Sequence, residues 1–117
     1  MAAPITYETL RDIAMELPGV EEAISWGMPN LKVGKKALLF WNTDHNAPVF
    51  KVPFEERDFL IEADPDTFFT TDHHRPWPLV LARPDKLDIA WARNNLKRVW
   101  LAQVPKKILK AWQAQHS

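Results

Sequence analysis

Between Thr6 and Leu17 the apolar residues fall at Leu10, Ile13, Ala14 and Leu17, the i, i+3, i+4, i+7 spacing of one helical face. Thr6 stands where an N-cap belongs, and Pro18-Gly19 stops the pattern. The helical period then gives way to short apolar runs: Ala23 to Trp26, Leu31 to Val33, Ala37 to Trp41 and Val49 to Val52. Gly27-Met28-Pro29-Asn30, Gly34-Lys35-Lys36 and Thr43 to Asn46 separate them as turns, which predicts an antiparallel meander. Pro53 suits the first position of a short helix striped by Phe54, Phe59, Leu60 and Ala63, and Asp64-Pro65-Asp66 closes it. Phe68 to Thr70 and Leu79 to Ala82 read as two further strands. Asp88 can cap a last long helix with Leu96, Val99, Trp100 and Gln103 on one face. Pro105 should break or kink that helix before Ile108, Leu109 and Trp112 resume the period. Helix, four strands, helix, two strands, helix predicts an α+β domain: a two-layer fold with an antiparallel sheet of five or six strands and helices on one face.

Composition adds limits to that picture. A chain of 117 residues, 46% hydrophobic and 26% charged, is expected to form one soluble domain over residues 1–117. It contains no cysteine, which excludes disulfides, thiolate metal sites and cysteine nucleophiles and favours a reducing compartment. The amphipathic start lacks the basic and continuously apolar regions of a signal peptide, and no apolar run approaches the roughly 18 residues of a membrane span. The expected location is the cytoplasm.

A net charge of zero conceals two unlike halves. Residues 1–72 hold thirteen acids against six bases, a net of −7, while residues 73–117 hold nine bases against two acids, a net of +7. No acid follows Asp88. Such a split points either to an anionic partner for the C-terminal half or to neutralisation across the fold.

Candidate chemistry concentrates in Thr71-Asp72-His73-His74-Arg75-Pro76-Trp77-Pro78. In extended geometry His73 and His74 would point to opposite faces, and neither His45 nor His116 supplies helical ligand spacing, so no metal is expected. The Asp-His-His letters also occur in the DHH phosphoesterases, but those use a parallel α/β scaffold that this strand and helix order does not build. Ser25 and Ser117 lie in no nucleophile elbow, and the three glycines form no phosphate loop, so neither a catalytic residue nor a cofactor is expected. Of the six tryptophans, Trp26, Trp41 and Trp100 are expected in the core, while Trp77, between Pro76 and Pro78, should be partly exposed beside Arg75.

Four ordered segments together resemble the MmcQ/YjbR family of small bacterial proteins: Leu17 to Glu22, Leu31 to Lys36, Phe69 to Leu81, and Val104 to Lys107. The resemblance implies a two-layer domain of the secretion-chaperone-like kind and carries the label DNA-binding. The family's central motif places its histidine on His73 and its aromatic and proline on Trp77 and Pro78. His74 replaces a tyrosine there and Pro76 a glycine, which stiffens the turn. Two functions follow as expectations. One is a DNA or other anion-binding module using Lys97, Arg98, Lys106, Lys107 and Lys110 with the Arg75/Trp77 corner. The other is a protein-interaction or small-ligand adaptor receiving its partner near His73 and Trp77, without nucleic acid.

Overall fold

The computed structural model describes residues 3–116. Helix α1 (Tyr7–Ala14) starts where Thr6 Oγ1 accepts the backbone N–H of Thr9 at 3.2 Å, and it buries Leu10, Ile13 and Ala14. Four strands follow as a meander: β1 (Glu21–Ser25), β2 (Met28–Val33), β3 (Lys36–Asn42) and β4 (Ala47–Lys51). Helix α2 (Phe54–Ala63) then leads to β5 (Phe68–Phe69) and β6 (Leu79–Ala82). Two helices end the described chain, α3 (Ile89–Gln103) and α4 (Lys106–His116). The sheet is wholly antiparallel in the order β1-β2-β3-β4-β6-β5. The α+β expectation holds, with six strands.

Strand alternation gives the sheet two different faces. One carries Leu31, Val33, Leu39, Trp41, Phe50, Val52, Val80 and Ala82 into the main core, under α1, α3 and the inner side of α2 and α4. The other carries a smaller cluster of Ala47, Val49 and Leu81, rimmed by half-buried Phe40, Phe69 and Leu79. Asp88 caps α3 through Ala90 N–H at 3.2 Å, and Trp100, fully buried, donates its indole N–H to the Pro18 carbonyl at 2.9 Å. The break expected at Pro105 separates α3 from α4, which folds back so that its Ile108 meets Gly19 and its Trp112 meets Trp100. Gly19 has φ +79° and a Cβ there would lie 2.8 Å from Ile108, so both conformation and space require glycine.

Three local expectations are corrected. The first hairpin turns on Trp26-Gly27, with Ser25 paired to Met28, so Met28, Pro29 and Asn30 belong to β2 rather than to the turn. Pro29 is tolerated because β2 pairs with β3 only from Asn30 onward. Trp26 consequently sits at the hairpin tip, 90% exposed with φ +51°, and not in the core; Trp41 and Trp100 are buried as expected. In α2 only Leu60 of the expected stripe packs against the core: Phe54, Phe59 and Ala63 are exposed, and the residue this helix buries fully is Arg57.

Candidate functional site

The segment between β5 and β6 folds as consecutive turns over the sheet face away from α1 and α3. Its centre is Thr71. The Thr71 carbonyl accepts the N–H groups of His74 and Arg75 at 3.1 and 2.8 Å, and its Oγ1 lies 2.6 Å from His74 Nδ1. The His74 carbonyl accepts Trp77 N–H at 3.0 Å, and the Pro78 carbonyl accepts Val52 N–H at 3.1 Å, which joins the corner to the end of β4. Arg57 ties the loop from outside the segment: its Nη1 donates to the carbonyls of Arg75 at 2.6 Å and Trp77 at 3.1 Å. Its guanidinium is buried against the Phe54 ring, 5.0 Å from the centroid.

This scaffold sorts the side chains of the corner. His74 is buried, and its pKa is lowered by desolvation first and by the neighbouring His73 and His45 next. His73 is exposed with its ring 5.1 Å from that of His74, edge to face. Arg75 reaches outward to an exposed ion pair with Asp72 at 2.9 Å. Trp77 is held by its backbone while its ring stays 58% exposed.

Trp77 stands between two hollows. The smaller, about 200 Å³, lies on the open sheet face between Trp26, Phe40, His73, His74 and Trp77. The larger is a groove of about 740 Å³ between the corner, the paired ends of β3 and β4, and the C-terminal half of α3. Phe40, Trp77 and Leu79 line both, so the two adjoin at the indole. The groove walls are apolar, with Val52, Pro53, Pro78, Val99 and Ala102, and its charged residues are Lys36, Lys51 and Arg98. Arg98 is neutralised by a double contact to Glu56 at 3.0 and 2.6 Å. Lys51 is half-buried, its Nζ donating to Gln103 Oε1 at 2.9 Å, and burial followed by the proximity of Lys36 lowers its pKa. Gln103 in turn donates to the Ala37 carbonyl at 3.0 Å, so the last residue of α3 fixes the lysine against the mouth of the sheet.

The sequence-derived candidates divide between two places. His73, Arg75 and Trp77 share the corner, and Arg98 joins Trp77 at the groove. Lys97 lies 5.4 Å from the Trp112 ring, and Lys106, Lys107 and Lys110 are exposed on α4. Because α4 packs on the core side of the sheet and the corner on the other, the structure does not gather these bases into one surface. Pattern alone does not single out Arg57 or Lys36. For Lys51 a signal exists: strand alternation puts it on the face of Val49, beside apolar neighbours. Among the described residues no three His, Cys, Asp or Glu side chains group as metal ligands, and no helix is long and apolar enough to cross a membrane.

A family model described as YjbR matches residues 15–114. Uncharacterized proteins of Mycobacterium bovis and of two Mycobacterium tuberculosis strains are each 33% identical over 55 residues, which is 47% of this chain and 43% of theirs. The matched stretch thus spans less than half the length of these relatives. The crystal structure of Deinococcus radiodurans protein DR2400, with domain DUF419, superposes with a TM-score of 0.72 at 20% identity, covering 88% of this chain and 81% of that one. At that identity the likeness is one of fold.

Proposed function

This chain belongs to the YjbR family, and from that premise we propose that it is a non-catalytic cytoplasmic binding protein whose ligand occupies the groove beside Trp77. The observation that carries this reading is the groove itself: about 740 Å³, within the size range of small-molecule sites, apolar in its walls and bordered by a few polar groups. A rigid, backbone-anchored and exposed indole at its rim is the kind of side chain that supplies contact area at small entropic cost. The test is a titration of isotope-labelled protein with neutral and charged aromatic fragments. Shifts of the Trp77 indole, Leu79 and Ala102 signals support the reading, and an absence of shifts there across the set rejects it.

A second reading has its own support in α4. Lys106, Lys107 and Lys110 are exposed, form no ion pair among the described residues, and stand on a helix without a single acid. DNA binding through these three would weaken with log salt at a slope of about −0.9 per phosphate contact. Fluorescence anisotropy with a mixed-sequence duplex at ~50 mM salt measures it, and no binding there rejects it.

A further inference from the structure

We propose that the groove is selective for apolar monocarboxylates, with Lys51 and Lys36 as the cations that read the carboxylate. The inference rests on the groove being a ligand site and adds the chemistry of what enters it. Among the described residues no acidic side chain lines the groove. Arg98, the third cation, already has its carboxylate in Glu56. Lys36 and Lys51 have no ion-pair partner among the described residues. An ammonium has three N–H donors, and among the described residues only one from Lys51 is engaged, by the Gln103 side-chain oxygen. The remaining donors lie at the edge of an apolar space, where a fixed, partly desolvated positive charge attracts an anion more strongly than it would in open water. The arrangement matches a molecule with an anionic end and an apolar body: the carboxylate at the two lysines, the body against Val52, Leu79, Val99 and Trp77.

Fixed placement separates Lys51 from the surface lysines of α4. Lys51 belongs to a paired strand whose carbonyl accepts from Asn95 at 3.2 Å, while its ammonium is held by Gln103, so the charge is located from both ends. Gln103 also contacts the carbonyls of Lys36 and Ala37, at 3.4 and 3.0 Å, which ties the start of β3, where Lys36 stands, to the residue that holds the Lys51 ammonium. A carboxylate accepts several donors at once, which suits two ammonium groups approaching from neighbouring strands.

The probes are phenylbutyrate, phenylbutanol and phenylbutylammonium, three charges on one scaffold, titrated into the whole protein by calorimetry and by the Trp77 indole signal. The carboxylate is expected to bind about tenfold more tightly than the alcohol, and the ammonium more weakly than either. Lys51→Met should bring the carboxylate down to the level of the alcohol; Lys36→Met, on a more exposed side chain, should reduce the preference in part and guards against a folding defect in the first variant. Equal affinity for acid and alcohol would overturn the carboxylate inference while leaving the groove reading standing. Failure of all three probes would overturn both. A preference surviving intact in both folded variants would show that neither lysine reads the carboxylate.

Discussion

Arg57 Nη1 lies 3.1 Å from the carbonyl oxygen of Trp77, and the same nitrogen donates to the Arg75 carbonyl two residues earlier. One buried guanidinium on α2 therefore holds the backbone of the corner whose indole borders both hollows. Its removal leaves two carbonyls short of a charged donor, and bonds of that kind contribute about 1.5–3 kcal/mol each. Arg57→Ala is expected to cost about 3 kcal/mol overall, read from urea midpoints. Under conditions where the variant remains folded, the Trp77 indole signal should broaden or shift; an unchanged signal with unchanged stability would show that the loop holds itself.

His74 predicts a pH dependence with a definite sign. Its pKa is lowered in the folded state by burial and by His73 and His45, so on acidification the unfolded chain takes up the proton first. The stability it contributes is complete above the ordinary histidine value of about 6.5 and is lost as pH falls below it towards the folded pKa. Denaturation midpoints at about pH 7.5 and about pH 5 should differ in the wild type, and His74→Gln should narrow that difference. An identical difference in the variant would place the titration elsewhere.

Trp26 is held at φ +51° next to Gly27 at +75°, the two left-handed positions of a type I′ hairpin turn. That conformation costs a side chain with a Cβ roughly 1–2 kcal/mol, and asparagine tolerates it better. With 90% of its surface exposed, Trp26 recovers little by packing. Trp26→Asn is therefore expected to stabilise the protein by about 1 kcal/mol. A loss of stability on thermal or urea denaturation would contradict the placement of this ring.

Lys51 carries a charge that burial disfavours, its pKa lowered by desolvation and by Lys36. Below the ordinary lysine range the unfolded chain holds that proton more readily, so at neutral pH the ionised group opposes folding. Lys51→Met should accordingly cost no more than about 1 kcal/mol despite losing the Gln103 hydrogen bond. A much larger loss, measured by chemical denaturation, would identify the lysine as a structural element of the fold.

Much of the architecture is legible from pattern because the signals are local. Thr6 and Asp88 cap the helices they precede, and Pro105 separates α3 from α4, each through bonds or sterics within a few residues. Trp26 departs from expectation because hydrophobicity argues for the core while the two-residue turn demands the tip. Helix α2 departs for a different reason: Phe54 and Phe59 outweigh Arg57 in apolar count, yet Arg57 finds its partners 18 and 20 residues away. The corner can be found as a motif, but the groove is made from β3, β4, α3 and the corner together, and Lys36, Lys51 and Gln103 meet only once the sheet has formed.

The most direct test of the groove as a ligand site is the Trp77 indole resonance during titration with phenylbutyrate, with mixed-sequence duplex DNA as the parallel addition. A saturable shift of Trp77, accompanied by Leu79 and Ala102, with no comparable change on adding DNA, is the predicted result. Unmoved groove signals with DNA-dependent shifts confined to Lys106, Lys107 and Lys110 would contradict it.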